Sequence, residues 1–371
     1  MNFLFDNIFI LPLIIATILQ LAFIFGLYAR FPFYKRKVSF DPELLPVSVI
    51  IASKNEEENL REFLPLILQQ DYPDFEVIVV DDQSEDDTLK YLLDLAKMNP
   101  RLKVVIIGEQ VRDRQGKKFA LSLGIKKSVH PILVFTDADC YPLSDQWLRL
   151  MARNYTEDKE IVIGYSPYER KNSLLNYFVQ FDNFNTAMQY ISFTLAGMPY
   201  MGVGRNMSYR KNLFMQVGYS SQLHIPYGDD DIFVNRNATK QNLALEIDRN
   251  SFMMTLPQAS FKKWYRQKVR HLKGGLEYKQ KHRFWLGINY ISVFLFYACF
   301  TAALVVEPLS WMVWAIFGLR LLSYLTISGF VLKKLSNLRL IWLLPFLEII
   351  YQLILLPLFS LIAKRSNKKT W

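Results

Sequence analysis

Four blocks of about twenty mostly apolar residues, one near the start of the chain and three near its end, decide what this sequence can fold into. Residues 8–27 carry no charge. At ~1.5 Å rise per residue such a stretch crosses a hydrocarbon core of ~30 Å. A cleaved signal peptide fits less well, because no Lys or Arg precedes the run and Asp6 is its only charged neighbour on that side. Arg30, Lys35, Arg36 and Lys37 follow directly, so the positive-inside rule predicts an external N-terminus and a cytoplasmic continuation. Residues 286–306 are uninterrupted, 309–332 contain Arg320, and 340–363 contain Pro345, Glu348 and Pro357. A lone charge in a span is expected to face protein or water rather than lipid. Four spans would leave the basic tail with Lys364, Arg365, Lys368 and Lys369 outside, against the same rule. The last block is therefore read either as a span or as a re-entrant or interfacial segment.

The chain between the blocks is of a different kind. Apolar residues make up 51 % and charged residues 21 % of the sequence, and mean hydropathy is +0.09, so the apolar residues are concentrated beside an ordinary soluble domain. This composition excludes collagen, coiled-coil arrays and disordered chains. Cys140 and Cys299 lie too far apart in sequence to make a disulfide framework. The formal charge of +10 gathers next to the apolar blocks, where lipid headgroups account for it, so no nucleic-acid partner is expected. The expected organisation is an anchor at 1–37, a cytoplasmic catalytic domain at 46–283, a membrane region at 286–363 and a basic tail at 364–371, in a multi-pass protein of the cell (inner or plasma) membrane.

Within the middle, β-rich runs at 47–51, 75–80, 104–107 and 132–135 alternate with helical patterns at 56–70, 86–97, 117–127 and 146–154. That alternation predicts an α/β fold with a doubly wound, mostly parallel sheet. Ligands of such sheets sit at the carboxyl ends of the strands. Several polar clusters stand in or near those places. The first strand runs into Ala52-Ser53-Lys54-Asn55-Glu56 and the second into Asp81-Asp82-Gln83-Ser84. Both also read as turns with helix caps. Arg114-Gln115-Gly116-Lys117 opens a helix and offers backbone N–H groups and an ammonium to a diphosphate, or is simply a solvated basic helix start. Asp137-Ala138-Asp139 directly follows an apolar strand, and alternate carboxylates there suit Mg²⁺ or Mn²⁺. Gly228-Asp229-Asp230-Asp231 precedes a helix expected over 232–242 and contains a candidate general base, or a plain acidic helix start. Gln267, Arg270 and His271 share one helical face and can hold phosphate oxygens and a sugar. The surrounding 262–283 stretch, with eleven Lys, Arg and His, also reads as a basic helix at lipid headgroups.

The order of these clusters resembles the family 2 glycosyltransferases of the GT-A fold, in their membrane-anchored branch of ceramide glucosyltransferase-like enzymes and polysaccharide synthases. The resemblance runs over about 46–282. It implies nucleotide contacts at Ala52, Ser53 and Glu56, a base or ribose contact at Asp82, a diphosphate contact at Lys117, and a metal held by Asp139 with Asp137. It places Gly204 to Tyr209, with Asn206, near the donor sugar. The family's Glu-Asp base motif aligns in two registers, which leave Asp229 and Asp230 both open as the base. Its Gln-x-x-Arg-Trp motif matches Gln267, Arg270 and His271, with His271 in place of Trp.

The resemblance therefore implies inverting transfer from a nucleotide sugar, by family habit a UDP-sugar, to a hydroxyl of a lipid or glycan acceptor at the membrane face, with Mg²⁺ or Mn²⁺ as cofactor. A processive polysaccharide synthase is the alternative in the same chemistry. An inactive nucleotide-sugar-binding membrane scaffold is the alternative outside it. No G-x-G-x-x-G follows the first strand, which disfavours a nicotinamide dehydrogenase. The Phe-, Tyr- and Asn-rich stretch 174–197 reads as an interfacial helix that presents the acceptor or as a core helix of the catalytic domain.

Overall fold

The computed structural model describes residues 10–36, 44–108, 116–218 and 228–365. Lys37, Arg114, Gln115 and the tail beyond Arg365, with Lys368 and Lys369, lie outside the described residues. The chain forms two compact units. Of the described residues, one unit contains the sheet and draws on 44–171 and 199–264; the other is helical and draws on 10–36, 172–198 and 265–365.

The sheet unit is built around β1 (Val47–Ser53), β2 (Phe75–Asp81), β3 (Leu102–Ile106) and β4 (Ile132–Asp137). Further strands are β5 (Cys140–Pro142), β6 (Ile161–Ile163), β7 (Met207–Arg210), β8 (Leu243–Leu245) and β9 (Met253–Thr255). The main sheet has seven strands in the order β3-β2-β1-β4-β7-β6-β8, and β5 pairs with β9 in a small second sheet. Pairs β1–β2, β1–β4, β2–β3 and β6–β8 are parallel, while β4–β7 and β6–β7 are antiparallel, so the expected mostly parallel sheet is found. Val47, Val49, Ile50 and Ile51 have no exposed surface. A strand apolar on both faces is what a helix-covered parallel sheet requires. Burying each such side chain contributes ~1.5–3 kcal/mol.

The connecting helices are α2 (Glu57–Leu68), α3 (Thr88–Met98), α4 (Lys117–Lys127) and α5 (Trp147–Ala152), close to the predicted ranges. Helix α7 (Lys211–Val217) follows β7, and α8 (Asp231–Asn237) follows the acidic run. Helix α8 ends five residues before the predicted limit at Asn242. There Thr239 N–H donates to Asn242 Oδ1 at 2.7 Å and Asn242 Nδ2 donates to the Asn237 carbonyl at 3.1 Å, closing a turn that competes with helix.

Among the described residues, the helical unit holds α6 (Leu174–Leu195) and four helices long and apolar enough to cross a membrane: α1 (Ile10–Phe33), α10 (Gln280–Val306), α11 (Trp311–Lys334) and α12 (Leu344–Arg365). Helix α9 (Phe261–Gly275) spans the boundary between the units in sequence. Helix α12 is helical throughout, with a π turn at Ile350–Leu355, so a re-entrant loop does not describe it. The π turn stands just before Pro357, which has no N–H to give and strains a regular helix at that point.

The lone charges of the last two spans meet one another. Arg320 donates to both oxygens of Glu348, at 2.6 and 2.7 Å, and also to Gln20 Oε1 of α1 at 2.7 Å. The Tyr297 hydroxyl of α10 donates to Glu348 at 2.7 Å. One buried cluster thus links all four long helices. Breaking it on one side leaves an uncompensated buried charge, which typically costs ~3–5 kcal/mol. Arg320→Met is expected to lower thermal stability in detergent strongly, and Arg320→Met with Glu348→Met to recover most of it. Equal stability of Arg320→Met and wild type would contradict this account.

Helix α6 packs in this helical unit, not in the sheet core. Asp182 Oδ1 accepts from Lys268 Nζ of α9 at 2.6 Å and from the Tyr351 hydroxyl of α12 at 2.5 Å. Asn176 accepts from Arg339 at 3.1 Å, and Gln180 accepts from Asn337 at 2.9 Å.

Candidate active site

The register of the parallel strands brings the polar clusters to one edge. Ser53 is paired with Asp81 across β1–β2, and Ala52 with Asp137 across β1–β4. Beyond Ser53 the chain turns at Asn55, a non-glycine residue with φ 55°. Asn tolerates this left-handed conformation better than most residues. Its side chain accepts from Glu85 N–H at 2.7 Å, its own N–H donates to Ser84 Oγ at 2.9 Å, and Glu56 N–H donates to Thr88 Oγ1 at 3.0 Å. The loops after β1 and β2 are therefore tied into one rim.

Three polar atoms at this rim lack partners. Ser53 Oγ, Asp81 Oδ1 and Asp82 Oδ1 are buried with no hydrogen bond among the described residues. Asp82 is 3 % exposed, and its Oδ2 accepts from Gly116 N–H at 3.3 Å. Burial, with Asp81 alongside, holds its carboxyl above the usual carboxylate range. Buried polar atoms normally find partners, so orphans at a strand tip mark where a ligand completes the set.

Gly116 has φ 126°, a conformation open to glycine, and it opens α4 so that Lys117 faces the acids. Lys117 Nζ lies 2.7 Å from Asp137 and 3.4 Å from Asp229. Burial works against its charge, but Asp137, Asp229 and Asp230 outweigh it and hold the ammonium well above the ordinary lysine value. Lys117, Asp137, Gly204, Asp229 and Asp230 line one small cleft.

Asp137, Asp139 and Cys140 each place one ligand atom within 4.8 Å of the others. Burial, reinforced by Asp137, raises the Asp139 carboxyl above its usual range. Glu56 is raised by burial and then by Asp139 and Asp137. Crowded, half-buried carboxylate oxygens of this sort fit a hard divalent cation, whose charge would relieve their repulsion.

The two candidate bases differ in what already holds them. Asp230 caps α8: its Oδ1 accepts from Asp231 N–H and its Oδ2 from Gly204 N–H, both at 2.7 Å. A Cβ on residue 204 would sit 3.0 Å from that Oδ2, so glycine permits the approach. Burial, then Asp229, raises the Asp230 carboxyl. Asp229 Oδ2 faces Lys117 Nζ at 3.4 Å.

Asn206 is turned into the fold. It is wholly buried, accepts from Trp147 Nε1 at 2.9 Å and donates to the carbonyls of Tyr165 and Ser251 at 2.8 Å each. Its side-chain amide is engaged by the fold and braces this loop. Arg205, which carried no role in the sequence reading, has its guanidinium 2.7 Å from the Tyr168 hydroxyl and 4.6 Å above that ring. Burial opposes its charge, and Tyr168, Cys140 and Asp137 more than offset this, so its pKa is raised. The only sequence signal for it is a cation enclosed between Gly204 and Asn206. Gln267, Arg270 and His271 fall in the helical unit, on α9, whose Lys268 is turned inward to Asp182. Arg270 and His271 are exposed and Gln267 is half-buried.

A mixed sheet with acids, a lysine and orphaned polar atoms at its strand tips defines a GT-A-type fold, and a solved structure agrees. The chain is similar to the mannosyltransferase PcManGT from Pyrobaculum calidifontis, solved in complex with GDP-Man and Mn²⁺, with a TM-score of 0.57, 17 % identity, and coverage of 90 % of this chain and 98 % of that one. Residues 48–218 match the family Glycosyl transferase family 2. Among curated relatives, it is 25 % identical over 290 residues to the poly-beta-1,6-N-acetyl-D-glucosamine synthase of Staphylococcus epidermidis, covering 77 % of this chain and 66 % of that protein. It is 31 % identical over 140 residues to the beta-monoglucosyldiacylglycerol synthase of Trichormus variabilis, covering 36 % of this chain and 30 % of that one. The chain thus spans less than two thirds of either relative's length.

Proposed function

We propose that this protein is an inverting glycosyltransferase that moves a sugar from a nucleoside diphosphate sugar, a UDP-sugar first among them, to a hydroxyl of a lipid or lipid-linked acceptor at a membrane face. The observation that carries this is the convergence of Lys117 on Asp137 and Asp229 beside the unpartnered Ser53 Oγ and Asp82 Oδ1 at the strand tips. Asp82 and Ser53 would receive the nucleobase and ribose, with Ala52 and Glu56 shaping the same rim. A Mg²⁺ or Mn²⁺ ion held by Asp139 and Asp137 would supply positive charge against the departing diphosphate. Lys117 and Arg205 add fixed positive charge that needs no reorganisation as the bond breaks. Asp229 takes the proton of the acceptor hydroxyl while the new C–O bond forms opposite the breaking C–O–phosphate bond. Gln267, Arg270 and His271 are assigned to the acceptor or phosphate side on the motif alone.

Membrane placement rests on the four apolar helices, and a cytoplasmic catalytic unit on the charges flanking the first of them. A lipid acceptor is favoured by the glycolipid synthase among the relatives and by His271 in the place where synthases carry Trp. Polymer synthesis is the second reading, favoured by the longer match to the polysaccharide synthase. A screen of nucleotide sugars with membrane extract as acceptor source, reading nucleoside diphosphate release and product size, tests both. Release with one donor and a singly extended lipid is expected. A ladder of oligomers would establish the polymerase instead, and no release with any donor would overturn the transferase reading.

A further inference from the structure

We propose that Cys140 is a positioning residue for the metal-binding carboxylate of Asp139, acting through its thiol hydrogen at the end of a buried hydroxyl chain; this rests on the metal reading given above. The β5–β9 register sets Cys140 directly opposite Thr255. Cys140 Sγ lies 3.3 Å from Asp139 Oδ1 and 3.1 Å from Thr255 Oγ1. Thr255 Oγ1 in turn lies 2.8 Å from Ser166 Oγ, and Ser166 donates to the Met253 carbonyl at 2.5 Å. Cys140 has no exposed surface, Ser166 has 1 % and Thr255 has 2 %.

The hydrogens in this chain can be assigned by counting. Ser166 has one and spends it on a carbonyl, so its oxygen accepts from Thr255. Thr255 has then spent its own. The thiol hydrogen is left to choose between a neutral hydroxyl and the Asp139 carboxylate, and a charged acceptor is the stronger partner. The thiol therefore points at Asp139 Oδ1 and fixes the carboxylate's rotation beside Asp137. Partners one step behind a metal ligand typically hold ~10- to 100-fold in metal affinity. The sulfur does this as a hydrogen-bond donor; it is not itself a ligand.

The test uses the full chain in detergent and Mn²⁺ alone, with bound and free Mn²⁺ read by electron paramagnetic resonance. Wild type is expected to bind and Asp139→Ala to lose binding. Cys140→Ala, and Cys140→Val should the alanine variant not fold, should bind ~10- to 100-fold more weakly at an unchanged melting profile. Cys140→Ser, which keeps a donor, should recover most of the loss. Wild-type affinity in the donor-free variants would overturn the inference while leaving the metal site standing. Absence of Mn²⁺ binding in wild type would remove the metal site and the inference together. Cd²⁺ added to wild type should give no sulfur-to-metal charge-transfer absorption; a band lost in Cys140→Ser would make the sulfur a ligand and overturn the positioning role.

Discussion

Asp139→Ala is expected to lower sugar transfer by ~10³-fold or more while leaving the protein folded. The size follows from what the carboxylate is asked to hold. Charge neutralisation at a departing diphosphate is worth several kcal/mol, and ~4 kcal/mol corresponds to ~10³ in rate. The fold should survive because Asp139 stands beyond the end of β4 and its own burial, next to Asp137, is a cost in the unliganded protein. Removing one of two crowded acids relieves that repulsion, so thermal stability should hold or rise slightly as activity falls. Asp139→Asn should behave alike, since the amide keeps the shape and loses the charge. Turnover by nucleoside diphosphate release and melting in parallel give the comparison. Undiminished turnover in Asp139→Ala would remove the metal role from this residue.

That expectation could be framed from the sequence because the strand leading into Asp137 declares itself. Ile132, Leu133, Val134 and Phe135 are apolar on both faces, and only a central, helix-covered strand tolerates that. The same holds for Val47 to Ile51 and for Val77 to Val80. The acids that follow such runs must then lie at the carboxyl edge. Strands β5, β6, β8 and β9 are three residues each and β7 is four, too short for any period to show, so the antiparallel pairing through β7 and the small second sheet were invisible for that reason. Side-chain direction was equally out of reach. Asn206 reads as a polar residue available to a sugar, and only the packing of Trp147 and the carbonyls of Tyr165 and Ser251 reveals that it is engaged. Arg320 and Glu348 each read as a lone charge needing protein around it, but nothing in the spacing says that they need each other. The adjacent acids Asp229 and Asp230 are chemically alike, so no pattern separates them; the separation comes from backbone N–H groups contributed by Gly204 and Asp231.

Those backbone contacts turn an ambiguous pair into opposite predictions. Asp229→Asn is expected to cost ~10²- to 10⁴-fold in turnover, the usual range for a general base, with little change in stability. Lys117 keeps its 2.7 Å partner Asp137 when Asp229 loses its charge, so the ammonium is not orphaned. Nucleotide binding should also persist, because the Asp82 rim is untouched. Asp230→Ala acts first on structure. It removes the cap of α8, typically ~0.5–2 kcal/mol, and strips the Gly204 N–H of its acceptor beside a half-buried loop. The expected signature is a lowered melting temperature and weakened activity that partly returns on cooling. Melting curves and kcat for the two variants, measured side by side, decide the assignment. A stable Asp230→Ala protein with turnover as low as Asp229→Asn would make Asp230 the base and reverse the register of the motif. Two stable, fully active variants would remove the base from this run altogether.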